Sequence, residues 1–167
     1  MFRAAWSRTV DTYRAVGLTR IKWAQCANKG PQANNGTTGA DVFVPGKVDV
    51  VGLDHYNMWP AQTDPATWAA AVQQTPGLAS QMRLADAQGV RWSLDENGPA
   101  HGSNGRDYGG DSEFYASAMV ATIRSNKSDN AFVTIYDDQG LPATLNHTFE
   151  KNPNWRNAVV KALGSGW

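Results

Sequence analysis

Three stretches of this chain gather carboxylates, two of them beside aromatic rings: Asp54-His55-Tyr56-Asn57-Met58-Trp59, Asp95-Glu96-Asn97 and Tyr136-Asp137-Asp138-Gln139. A carboxylate can attack an electrophile, or hold and pass on a proton, according to its surroundings. The chain has three glutamates. Glu113 belongs to a helix start and Glu150 to a polar C-terminal loop. Glu96 directly follows an apolar run, where a glutamate is neither a preferred turn residue nor a cap. If one glutamate does covalent or acid–base work, it is Glu96. Asp137 and Asp138 read equally well as caps or turn formers.

Cleavage of a glycosidic bond calls for two carboxyl groups, one to protonate the leaving oxygen and one to attack or to activate water. Flat rings beside them suit the apolar face of a pyranose. Trp23, Trp59 and Tyr136 lie at or near strand ends and could supply such a floor, with Asp54 and Tyr56 in the same cluster as Trp59. His55 can either line the site or pack away from it. Trp68 and Trp92 read as core, and His101 and His147 as surface residues of polar loops. No spacing of His with Asp or Glu matches a metal site, so an ion at Asp137 and Asp138 would be adventitious. No cofactor is expected.

The elements that must position these residues follow from periodicity. Phe2, Trp6, Val10, Tyr13 and Val16 carry a helical spacing with one buried face, ending at Gly17. No cap precedes them, so the chain is expected to begin inside a helix. A short strand is predicted over 19–25, and 28–39 is a Gly/Asn/Thr loop of the length that is usually functional or mobile. Residues 48–54 are almost continuously apolar, as in a parallel strand covered on both faces. Asp64 caps a helix with Pro65 at its first position, stopped by Pro76. A further helix over 78–88 ends at Gly89, and a third strand covers 90–95. Asp111 is expected to cap a helix reaching about residue 126, and a fourth strand covers 131–136. The last helix opens at Asn152-Pro153 and packs Trp155, Val159 and Leu163 on one face. Strands spaced by helices in this way make parallel crossovers. No Gly-rich phosphate fingerprint follows any of them, which counts against a nucleotide-binding domain.

The totals agree. The charge balance is fifteen basic against fifteen acidic residues, so no global field draws the chain to nucleic acid or a membrane surface. The basic residues Arg3, Arg8, Arg14, Arg20 and Lys22 read as a solvated helix side, since no aromatic-stacking module accompanies them. Cys26 is the single cysteine, which excludes an internal disulfide. No apolar run approaches a membrane span, and Met1 leads into a helical pattern rather than a secretory leader. Seven tryptophans with a charged fraction of 18% suit a protein that handles neutral polar ligands such as sugars.

At these residues the sequence resembles glycoside hydrolase family 26 of clan A. Residues 43–56, from Phe43-Val44-Pro45-Gly46 to Asp54-His55-Tyr56, are similar to that family's "yPG…VDvvGlDxY" region. Arg91-Trp92-Ser93-Leu94-Asp95-Glu96-Asn97-Gly98 resembles its seventh strand, which ends in the nucleophile's "E-x-G". Gly110-Asp111-Ser112-Glu113-Phe114-Tyr115 resembles the opening of the helix that follows. Ile21-Lys22-Trp23-Ala24-Gln25-Cys26-Ala27-Asn28 resembles the fifth strand. The resemblance runs through nearly the whole chain in the right order. It implies an α/β fold, a partial (β/α)8 TIM barrel holding strands five to eight with a parallel sheet and outer helices, residues 1–167 being one partial catalytic domain.

It further implies a retaining hydrolase of a β-linked polysaccharide such as mannan, with Glu96 as nucleophile and Tyr56 hydrogen-bonded to it. Tyr136 stands where the family usually presents a Trp to the sugar at the cleavage site. The family's acid/base glutamate ends strand four, ahead of the first helix of this chain, and nothing here matches it. The expected partner is a polysaccharide or oligosaccharide, with no nucleic acid and no membrane. The intact protein would be extracellular, its signal lying upstream. Two other readings stand beside this one: a non-catalytic carbohydrate-binding module, and a half-barrel assembly module that self-associates through its open sheet edges.

Overall fold

The computed structural model describes residues 1–31, 34–58, 60–102, 108–135 and 148–164. Ten elements follow in order: α1 (Phe2–Ala15), β1 (Ala24–Asn28), α2 (Gly39–Val42), β2 (Val50–Tyr56), α3 (Pro65–Gln73), α4 (Leu78–Gln88), β3 (Arg91–Gly98), α5 (Glu113–Ser125), β4 (Asn130–Val133) and α6 (Pro153–Gly164). The four strands form one sheet in the order β1-β2-β3-β4, and every pair is parallel. Sequential parallel strands joined by outer helices make part of an α/β TIM barrel, the fold that the resemblance implies.

Capping explains where several helices start and stop. Asp64 Oδ1 accepts the Ala66 and Thr67 backbone N–H groups at 2.9 Å, with Pro65 in the first turn of α3. Helix α4 ends at Gly89, whose φ of 64° is the left-handed conformation that stops a helix at little cost to glycine. The short α2 follows the predicted loop, overlapping it at Gly39, and is set by a capping box between Thr38 and Asp41.

The cap of α5 is Ser112 rather than Asp111: the Ser112 hydroxyl accepts from the Tyr115 N–H at 3.2 Å. Asp111 instead caps α6, accepting from the Asn154 and Trp155 N–H groups at 2.8 Å each. Asn152, the expected cap, turns its side chain to His101 and to the Thr148 carbonyl. His101 is therefore half-buried and bonded rather than a surface residue.

The core lies between the sheet and the helices. Val51, Leu53, Trp92 and Leu94 point from the strands onto Leu78 and Ala85 of α4, Met119 and Ile123 of α5, and Trp155 and Val159 of α6. Trp68 packs against this cluster. Leu163 is exposed, the buried position on that turn of α6 being Ala162. The predicted apolar face of α1 is only partly covered. Val10 is buried and Trp6 half-buried, whereas Phe2, Tyr13 and Val16 are exposed. The helix meets the rest of the chain through Trp6, whose Nε1 donates to the Lys47 carbonyl, and through ring contacts to Trp23.

The first three strands sit later in sequence than their apolar runs suggest. β1 starts at Ala24, because Asp49 and Val50 reach back to the Trp23 carbonyl and pairing begins at Val50. β2 runs on to Tyr56 and β3 to Gly98, so Glu96 lies inside a strand rather than after it. β4 is shorter than predicted. β1 and β4 are the outer strands, and exposed apolar residues gather near both: Leu18 and Ile21 before β1, and Phe132, Val160 and Leu163 on β4 and α6. Among the described residues, no helix is long and apolar enough to cross a membrane.

Candidate active site

Strand alternation sends Val51, Leu53, Trp92 and Leu94 to the helices, so Gly52, Asp54, Tyr56 and Ser93 face the other way. Strict alternation would then turn Asp95 away from the helices and Glu96 toward them. The register shows why it does not: Leu53 pairs with Leu94, but Asp54 pairs with Glu96. Asp95 is the extra residue of a β-bulge, and the bulge brings Asp95 and Glu96 out on the face opposite the helices. Gly52 makes the room, since a Cβ there would run into the Asp95 carboxylate. Ser93 Oγ donates to Asp95 Oδ1.

The C-terminal ends of β1, β2 and β3 therefore present one polar surface. Tyr56 Oη donates to Glu96 Oε2 at 2.8 Å. Glu96 Oε1 accepts no hydrogen bond among the described residues. Cys26 Sγ donates to Asp54 Oδ1 at 3.0 Å. Desolvation pushes the Asp54 carboxyl up to about 6, and the charges of Glu96 and Asp95 add to this against the Cys26 hydrogen bond. The Cys26 thiol is itself pushed well up, by desolvation of its sulfur and then by Asp54, so it stays protonated and serves as a donor. Among the described residues, no group of His, Cys, Asp and Glu is arranged to hold a metal ion.

Of the residues singled out in the sequence, the structure brings Glu96, Tyr56 and Asp54 together. It does not bring Trp23 or His55 to them. Trp23 precedes β1 at the opposite end of the sheet, where it packs edge-on to Trp6 and Tyr13. His55 is fully buried on the helix side, between Trp68 and Tyr115, and burial pushes its imidazole down to about 3. Trp59, Tyr136, Asp137, Asp138 and His147 lie outside the described residues. Sequence reasoning missed Cys26 as a member of this cluster and named Asp95 beside Glu96 without giving it a role. A lone cysteine carries no spacing signal, and a bulge leaves none in a single sequence.

No protein family and no curated protein matches the sequence. Solved structures do match in fold. The catalytic domain of a family 26 endo-β-1,4-mannanase from Bacillus sp. JAMB-750 is 22% identical with a TM-score of 0.60, over 96% of this chain and 44% of that one. A modular endo-β-1,4-mannanase of the same family from Cellulomonas fimi is 22% identical with a TM-score of 0.54, over 87% of this chain and 31% of that one. A β-glucuronidase from Faecalibacterium prausnitzii is 14% identical with a TM-score of 0.53, over 96% of this chain and 28% of that one. At these identities the likeness is one of fold. The fold is glycoside-hydrolase-like, a partial TIM barrel, and the chain spans less than half the length of each of these solved chains.

Proposed function

We propose that this chain is part of a retaining glycoside hydrolase acting on a β-linked polysaccharide such as mannan, with Glu96 as the nucleophile. The observation that carries this reading is the 2.8 Å hydrogen bond from Tyr56 to Glu96 at the C-terminal ends of parallel strands. Barrel enzymes place their chemistry at those ends. A carboxylate with one oxygen held by a tyrosine hydroxyl can attack through the other in a fixed direction.

Glu96 Oε1 would form a bond to the anomeric carbon as the bond from that carbon to the leaving oxygen breaks. The leaving oxygen takes a proton from a general acid, and water later attacks the same carbon to release the Glu96 carboxylate. The Tyr56 hydroxyl orients Glu96 and stabilises its charge. In this reading the general acid is supplied by a part of the barrel outside this chain. Trp59 and Tyr136 are assigned to the sugar's apolar face and Asp54 to its hydroxyl groups. The intact enzyme would be secreted, since polymeric substrates lie outside cells.

Without a general acid, turnover falls by a factor of about 10²–10⁴. A dinitrophenyl β-glycoside or a β-glycosyl fluoride needs little protonation of its leaving group and is the substrate to use. Slow release of the leaving group, abolished by Glu96→Ala, is the expected result. Unchanged release in Glu96→Ala would remove Glu96 from the mechanism. Oligosaccharide binding that is lost on Trp59→Ala, kept on Glu96→Gln and never followed by cleavage would instead identify a binding module.

A further inference from the structure

Behind Tyr56 the end of β2 is tied into a buried polar knot. The Tyr56 carbonyl accepts from the Met58 N–H at 2.8 Å, from Lys29 Nζ at 2.9 Å and from Gln62 Nε2 at 3.1 Å. The same two side chains reach the Met58 carbonyl, and Gln62 Nε2 also donates to Pro60 O at 3.0 Å. The Gln62 N–H donates to Asn57 Oδ1 at 2.6 Å, and Asn57 Nδ2 to the Gly110 carbonyl at 3.0 Å. Gln62, Asn57 and His55 are 0% exposed and Lys29 only 6%.

The geometry fixes the direction of each bond. Gln62 turns its NH2 to three carbonyl oxygens, so its Oε1 faces His55 Nε2, 2.6 Å away. His55 is neutral in this enclosure and therefore carries its proton on Nε2. An ammonium group and two amides buried at one point are an expensive way to fill space, because lysine is almost never fully buried unless paired.

Their common target is the backbone of the last β2 residue. Tyr56 is where the ladder with β3 ends, at the pairing with Gly98. The Asn57 N–H still donates to the Gly98 carbonyl at 3.1 Å and the Met58 N–H closes a tight turn onto the Tyr56 carbonyl, and Lys29 and Gln62 add two donors to that carbonyl from outside the strand and its turn. The Tyr56 hydroxyl lies at the end of a long rigid side chain, so a small backbone rotation there carries it out of range of Glu96. We propose that Lys29 and Gln62 are positioning residues for Glu96, acting through Tyr56. Lys29 reaches from just beyond β1, and Gln62 from the turn after β2. The proposal rests on the hydrolase reading for its catalytic consequence, but not for its geometry.

The experiment uses the whole chain labelled with 13C at the ζ carbon of its five tyrosines. Tyr56→Phe assigns the Tyr56 resonance, and Glu96→Gln measures how far that resonance senses Glu96. Lys29→Met and Gln62→Glu should move the Tyr56 resonance and abolish its response to Glu96→Gln, while Lys29→Arg restores part of it. With a dinitrophenyl β-glycoside, Lys29→Met and Gln62→Glu should each lower kcat roughly tenfold or more with KM little changed. Neither should lower it further in a Tyr56→Phe background, because residues acting through one group are not additive.

An unmoved Tyr56 resonance in folded Lys29→Met and Gln62→Glu would overturn the proposal. Loss of the fold in both variants would assign the knot to stability alone and overturn it equally. The full spectroscopic response without turnover in any variant, the parent chain included, would sustain the positioning role while removing the hydrolase reading.

Discussion

The carboxylate of Asp95 occupies the space above Gly52 that any β-carbon on that residue would fill. Gly52 sits at the centre of β2, paired with Cys26 on one side and Ser93 on the other. A side chain there must push Asp95 away and disturb the bulge that orients Glu96. Gly52→Ala should therefore destabilise the fold by about 1–3 kcal/mol, the usual cost of overpacking. Urea unfolding measures it, and an unchanged midpoint would show that Asp95 turns aside freely.

Two neighbouring residues make opposite contributions to stability as pH changes. Burial, followed by the charge of Lys29, pushes His55 from 6.5 down to about 3, so between those values the unfolded chain binds the extra proton. Its contribution is present above 6.5 and is lost as pH falls, by about 1.4 kcal/mol per pH unit in the limit of full burial. Asp54 is pushed from 3.8 up to about 6, so between those values the folded chain binds the extra proton. Its contribution is present at low pH and is lost as pH rises through 6. Asp54→Asn should therefore raise stability at pH 7, on the order of 1 kcal/mol once solvent screening is allowed for, and should steepen the loss on acidification below 6. Denaturant midpoints from pH 4.5 to 7.5 test both signs. A flatter acid limb in Asp54→Asn would contradict them.

Helix α6 depends on a residue from the loop after β3. Both Asp111 oxygens take its first-turn N–H groups, a cap supplied from more than forty residues away rather than by the preceding residue. Asp111→Ala should cost about 0.5–2 kcal/mol and fray α6 first. Hydrogen exchange at Asn154 and Trp155 is the direct measure, and protection equal to the parent chain's would place the capping elsewhere.

The outer strands β1 and β4 have exposed apolar residues close by, among them Ile21 and Phe132. Unpaired edges of this kind recruit further strands. The isolated chain should self-associate, as light scattering would show, and Phe132→Lys should weaken that association. A monomer at high micromolar concentration would rule this out.

Much of this architecture was readable because it depends on local signals. Asp64-Pro65 and Gly89 mark helix ends through backbone chemistry that needs no tertiary partner. The apolar run 48–54 is long enough to declare a buried strand, though its true span is displaced to Val50–Tyr56 because pairing with β1 and β3 decides the ends. Asp111 misled for a related reason: its side chain is a good cap for the adjacent helix, and only the packing of α6 beside α5 gives it another. Glu96 stood out by residue type, but its direction was not readable. Alternation from Trp92 gives the wrong face, and the bulge that corrects it is a property of two strands together. Trp23 and His55 were drawn into the site by their place in the sequence. The displaced start of β1 removes the first, and alternation along β2 removes the second.

The bulge also says which change of length this strand can absorb. Asp95 is the residue of β3 with no partner on β2, so its removal would leave Leu94 opposite Leu53 and Glu96 opposite Asp54, with plain alternation keeping Glu96 on the face away from the helices. Loss of a paired residue would instead slide the register by one and turn the run beyond it to the other face. Along β3, length is constrained by the residues that pair and not by the one that bulges.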